Sequence, residues 1–129
     1  MVDTEGLVLK TLITEANLDD REGLFRILDT GMEQFPRLQK IWVDGGYRGS
    51  QLRGIFEYDI DIEVVKKPSA REFKVTPRRW VVERTFAWLG KNRRLSKDYE
   101  QDIKTSESMI YIGMTRLMLR KASKLIFNL

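Results

Sequence analysis

The 129-residue sequence contains neither cysteine nor histidine. Without cysteine there are no disulfides and no thiolate metal sites. Without histidine the chain lacks imidazole ligands for zinc and the commonest general base. Any metal chemistry must then use oxygen ligands, which favour a hard ion such as Mg²⁺. Proline is scarce, at three residues, and no uncharged apolar run reaches the roughly 18 residues of a membrane span. The N-terminus shows no signal peptide, and the chain shows no internal repeat or low-complexity segment. The expectation from these absences is a cytoplasmic protein with no membrane partner.

What is present is an ordinary soluble balance, 42% hydrophobic and 33% charged, in a length that suits one domain. The net charge of +4 is unevenly spread. Residues 1–63 carry more acids than bases, whereas 64–129 are strongly basic. A basic half points to a polyanionic partner, usually nucleic acid.

The patterning predicts alternating strands and helices. Met1–Thr4 and Leu7–Thr14 read as two arms of a hairpin around Glu5-Gly6. Asp20 is a cap for an amphipathic helix running to about Gln34, which Pro36 ends. Leu38–Asp44 holds the short apolar run Ile41-Trp42-Val43 and reads as a buried strand. Asp44-Gly45-Gly46-Tyr47 follows, with glycines that permit positive φ and close approach to the backbone. Ser50–Phe56 reads as a short helix, Ile60–Val65 as a strand, Lys66–Ala70 as a basic loop and Phe73–Val75 as a brief extended piece. A long helix spans Ser106 to about Ile126, with Thr105 or Ser106 as cap. Its broad face of Met109, Ile110, Gly113, Met114, Leu117 and Met118 reads as core, with a partner surface as the alternative. This alternation predicts an α/β layer with a mixed sheet, an antiparallel first hairpin and parallel later strands.

The stretch Pro77–Leu95 organises the rest. Pro77 suits a first helical turn, Val82, Phe86 and Leu89 draw one apolar stripe that Val81 and Trp88 widen, and Gly90 and Asn92 are terminators. Glu83 stands alone among Arg78, Arg79, Arg84, Lys91, Arg93 and Arg94. Arg79 lies four residues before it, on the same helix face. Two readings stay open: a surface ion pair, or a cation-binding carboxylate set among phosphate-binding cations. Asp44, at the C-terminal end of a strand, is where α/β sheets place ligand sites, although Asp-Gly-Gly also serves as plain turn chemistry. Converging carboxylates hold Mg²⁺ ions, which activate a water or a 3′-hydroxyl at a phosphodiester. Trp80 and Trp88 read as core packing or as base-stacking groups, and Lys121 and Lys124 as a solvated face.

Ile41-Trp42-Val43-Asp44-Gly45-Gly46-Tyr47-Arg48-Gly49 resembles the second acidic motif of bacterial insertion-sequence transposases of the DDE type. Residues 77–89 resemble their third motif, which carries the catalytic glutamate. Residues 92–100 and 106–110 continue the likeness, and Val2–Gly6 and Asn17–Arg21 resemble segments upstream of the second motif. The resemblance implies a ribonuclease-H-like mixed sheet with flanking helices, formed by residues 1–129 as a single partial catalytic domain that lacks its first strand. It implies Mg²⁺-dependent DNA cleavage and strand transfer at insertion-sequence ends, with Asp44 and Glu83 as two of three metal-binding carboxylates. Arg78, Arg79, Arg84, Lys91, Arg93 and Arg94 would then contact DNA.

The likeness has departures. Thr76 stands where the family has a tyrosine three residues before its arginine. Gly90 stands where the family has a lysine, with Lys91 next door. The family's first aspartate belongs to a strand ahead of this sequence, and Asp3 falls in the hairpin arm that follows it. The expected partners are therefore DNA, an upstream transposase segment supplying that strand, and a second copy of the chain. The alternatives are a catalytically inactive DNA-binding or regulatory fragment, and an oligomerisation module built on the terminal helix. An open sheet edge invites pairing with another chain. The polypeptide alone is expected to be poorly stable or self-associated, and a segment carrying the missing strand to rescue it. A monomer in ultracentrifugation with a sharp thermal transition, obtained without that segment, contradicts this.

Overall fold

The computed structural model describes residues 1–47, 58–65 and 79–127, the Arg79 side chain excepted. In chain order the elements are α1 (Asp20–Gly31), β1 (Lys40–Asp44), β2 (Asp61–Val65), α2 (Arg79–Gly90) and α3 (Ile103–Phe127). Short 3₁₀ turns at Met32–Gln34 and Arg93–Leu95 follow α1 and α2. The fold is mixed α/β. The chain divides into two compact units, one of Met1–Ile13 with Trp80–Leu129 and the other of Thr14–Arg79. The expected elements at Ser50–Phe56, Lys66–Ala70 and Phe73–Val75, together with Pro77, lie outside the described residues.

In the Thr14–Arg79 unit, Asp19 rather than Asp20 caps α1. Its Oδ1 accepts the Arg21 N–H at 3.0 Å, which satisfies one of the first-turn donors that a helix leaves unpaired. Asp20 and Glu22 in that first turn suit the positive end of the helix dipole. Leu24 and Leu28, four apart, turn inward. β1 and β2 pair in parallel, with Lys40 opposite Asp61 and Asp44 opposite Val65. Ile41 and Val43 are buried on β1, and Ile60 is buried just ahead of β2. On the other face, Lys40 bridges Asp61 at 2.7 Å and Glu63 at 3.0 Å. Glu63 also accepts the Trp42 indole N–H at 3.0 Å. These exposed groups are screened and add little stability, but a one-residue slip would separate every pair, so they mark the register.

In the other unit, the N-terminal hairpin is closed by a single antiparallel bridge, Val2 to Val8. Leu7–Thr14 is not the expected strand. Two of its backbone donors go to side chains of α3 instead: Thr11 N–H to the Tyr111 hydroxyl at 3.1 Å, and Ile13 N–H to Glu107 Oε1 at 2.9 Å. The hairpin turn is tied to α2. Gly6 has φ +81°, and the buried Thr85 hydroxyl donates to the Gly6 carbonyl at 2.6 Å while lying 3.0 Å from the Val81 carbonyl. A Cβ at position 6 would sit 3.0 Å from that hydroxyl.

This contact corrects the expected face of α2. Of the expected stripe Val81 is buried and Trp88 and Leu89 are half-buried, but Val82 and Phe86 are exposed at 45% and 68%, and Thr85 joins Val81 on the buried side. Apolar spacing alone pointed to the Val82–Phe86 stripe, and a polar hydroxyl with a partner carbonyl displaced it. Asn92 closes the helix, its amide reaching the Leu89 carbonyl at 3.1 Å.

α3 begins three residues earlier than expected, because Asp102 Oδ2 accepts from both the N–H and the hydroxyl of Thr105. Of its expected core face, Met114 is buried, Met109, Ile110, Gly113 and Leu117 are half-buried, and Met118 is exposed. Gly113 approaches the 3₁₀ turn closely: a Cβ there would lie 2.8 Å from Leu95 Cδ1. Among the described residues no helix is long and apolar enough to cross a membrane.

Replacing Thr85 with valine keeps the shape and removes the donor, leaving the Gly6 carbonyl buried without its partner. The expected loss is about 1–3 kcal/mol, read as a lower urea midpoint at unchanged slope. An unchanged midpoint would mean that the bond does not tie the hairpin to α2.

Candidate active site

Asp44 is the last residue of β1 and is exposed. Its Oδ1 accepts the Gly46 N–H at 2.9 Å, while its carbonyl accepts the Tyr47 N–H at 3.2 Å. This is turn chemistry of the aspartate kind, and it also fixes the direction of the carboxylate. Gly45 and Gly46 do not use the positive φ that glycine permits; among the described residues Gly6 is the one glycine with positive φ. Gly46 serves by lacking a side chain: a Cβ there would stand 3.1 Å from Asp44 Oδ1. Tyr47 reaches back to the Asp20 carbonyl at 3.3 Å. Its burial, and then the charges of Asp20, Asp44 and Asp19, push its phenol above the usual range.

Glu83 lies on the exposed side of α2, next to Val82 and three residues before Phe86. It belongs to the unit of Met1–Ile13 and Trp80–Leu129, and Asp44 to the unit of Thr14–Arg79. Asp3, whose place in the resemblance is the hairpin arm, holds the turn: its Oδ1 accepts the N–H groups of Glu5 and Leu7 at 2.9 and 2.8 Å. Among the described residues no group of three or more acidic side chains is placed to hold a metal ion.

The expected DNA-contacting cations divide. Lys91 and Arg93 are exposed around the end of α2. Arg94 is paired with Glu100 at 2.7 Å, with its guanidinium 6.0 Å from the centroid of the Tyr99 ring. Arg84 is half-buried between the indoles of Trp80 and Trp88, at 4.3 and 4.8 Å, and its Nη2 donates to the Glu5 carbonyl at 2.8 Å. Arg78 and the Arg79 side chain lie outside the described residues, and with them the Arg79–Glu83 pair. Lys121, expected to be solvated, stands 4.5 Å from the centroid of the Trp88 ring.

The sequence reading missed the Arg84 sandwich, although its signal was there. Trp80, Arg84 and Trp88 recur every four residues, the spacing that puts side chains over one another on a helix. It also missed Glu107 and Tyr111 as acceptors for the N-terminal segment, for which no local pattern existed.

Residues 41–120, which include both Asp44 and Glu83, match the sequence pattern of the Transposase DDE domain. The chain belongs to that family. It is also 27% identical over 121 residues to a Burkholderia cepacia protein whose name assigns it to insertion sequence element IS402 as a transposase. That match takes in 88% of this chain and 57% of the relative, so the chain spans little more than half of the relative's length. No solved structure matches the chain.

Proposed function

We propose that this chain is part of the ribonuclease-H-like catalytic domain of an insertion-sequence transposase, and that it acts in cleavage and strand transfer at DNA ends. The observation that carries the reading is the family match itself, which spans residues 41–120 and so includes both Asp44 and Glu83. Asp44 and Glu83 are the metal-binding carboxylates in this reading. The donor set fits a hard divalent ion in kind, because the chain offers carboxylate oxygens and no imidazole or thiolate. Gly46 N–H orients the Asp44 carboxylate at the strand end. When bound, Mg²⁺ polarises the phosphodiester and lowers the pKa of an attacking water or 3′-hydroxyl.

The chain's own residues supply the rest. Lys91 and Arg93 are exposed cations that would hold the DNA backbone and set its position, without reading sequence. Arg78 and Arg79, by family position, extend that role toward the start of α2. The partners in this reading are DNA and an upstream transposase segment that carries the family's first strand and third carboxylate.

The test is a nicking assay on an insertion-sequence end, using the chain together with that upstream segment. Mg²⁺-dependent nicking is expected, and Asp44→Ala or Glu83→Ala should each abolish it while leaving salt-dependent DNA binding within about two-fold, since in this reading the cations and not the acids hold the phosphates. DNA binding with no nicking under any metal, indifferent to both substitutions, would instead identify a regulatory fragment.

A further inference from the structure

α3 carries two apolar faces, and the core of its unit takes only one of them. Met114 is buried there, with Ile110, Gly113 and Leu117 half-buried beside it. Away from that side, Ile112, Leu119 and Ile126 are exposed at 61%, 66% and 73% and recur every seven residues. Ser108, Thr115 and Ala122 are exposed between them with the same recurrence. The six succeed one another in steps of four and three, the ladder by which one helix seats against another. None is charged, and Arg120, Lys121 and Lys124 fall outside the ladder. Met118 and Leu125, exposed at 46% and 82%, border one side of it, and Arg116 borders the other.

The five large side chains expose on the order of 600 Å², the upper limit for an apolar patch on a lone soluble chain. With the three small positions the face approaches the roughly 800 Å² per partner of a standard interface. It offers no cation to a phosphate backbone, so DNA is a poor occupant. A second copy is a good one, because the ladder alternates large and small side chains. Parallel helices would set large against large and small against small, leaving voids in every other layer. Antiparallel helices set one large side chain against one small one in each layer. With the two-fold axis level with Leu117, Ile112 meets Ala122 of the other copy, Leu119 meets Thr115 and Ile126 meets Ser108. We propose that two copies of this chain pair antiparallel through this face of α3. Met118 and Leu125 then thicken the apolar seam, while the two Arg116 side chains approach each other at its rim. Pairing through this face needs neither metal, DNA nor cleavage, so it goes beyond the transposase reading and does not rest on it.

The experiment uses the full chain, alone and with its upstream segment, and reads mass by sedimentation equilibrium. Pairing of the chain is expected in both samples. Leu119→Glu should weaken it at least about ten-fold, because it buries a carboxylate in two layers of the seam. The helical circular dichroism should not change, because residue 119 is exposed within one copy. Added salt should not weaken the pair, since its seam is apolar and salt screens one Arg116 from the other, whereas association bridged by nucleic acid weakens with salt. The chain has no cysteine, so introduced cysteines report the orientation. On mild oxidation, Ile112→Cys mixed with Ala122→Cys should give a disulfide-linked dimer, and Ala122→Cys alone should not.

A monomer at every concentration with helix content intact, association indifferent to Leu119→Glu, or linkage of Ala122→Cys to itself would each overturn the proposal. So would a pair that the upstream segment dissolves, since the face would then be that segment's seat, or one that salt disperses. Nicking that depends on Asp44 and Glu83 in a chain that does not pair through α3 would leave the transposase reading standing and remove this one alone.

Discussion

The rotation of α2 about its own axis is the constraint on which the candidate chemistry depends. It is set by the buried hydroxyl of Thr85 on the carbonyl of Gly6, a glycine with φ +81°. A residue with a side chain at position 6 would be strained there and would crowd the hydroxyl. Arg84 adds a second tie to the same turn through the Glu5 carbonyl. With Val81 and Thr85 fixed inward, Glu83 has to face outward, and Val82 and Phe86 with it. The hairpin turn therefore determines which face of the helix presents the carboxylate.

The acids of the second unit are organised by a different device. β1 ends at Asp44, and the chain turns at once through Gly45 and Gly46, so the carboxylate is oriented by a backbone N–H two residues on. The two acids thus stand on unlike supports, one a strand end and one a helix face. Both lie within the stretch that places the chain among the DDE transposases. Cations around α2 are not one population. Lys91 and Arg93 face solvent, while Arg84 and Arg94 are committed to aromatic rings, a carbonyl and Glu100. A count of arginines near the glutamate overstates the charge that a phosphate backbone would meet.

Much of the architecture was legible from local pattern. The apolar run at Ile41-Trp42-Val43, the alternation over residues 60–65 and the terminators at Gly90 and Asn92 predicted β1, β2 and the end of α2. The two long motifs pointed to the family. What failed was decided by contacts distant in sequence. The inward face of α2 went to Thr85 because of a carbonyl 79 residues away, which no helical periodicity encodes. The Leu7–Thr14 segment has strand composition, but two of its backbone donors are taken by Glu107 and Tyr111, roughly a hundred residues on. Caps slipped by a residue or three because several acids and hydroxyls competed for each helix start, as at Asp19 and Asp20.

The central proposal is that Asp44 and Glu83 are ligands of the same metal ion. It is tested most directly by Mn²⁺ binding followed by electron paramagnetic resonance, on the chain assembled with its upstream segment and on the Asp44→Asn, Glu83→Gln and doubly substituted forms. Shared ligation predicts strongly non-additive losses: either single substitution removes most of the tight site, and the second removes little more. Independent, additive losses, or tight Mn²⁺ binding that survives both substitutions, would contradict it.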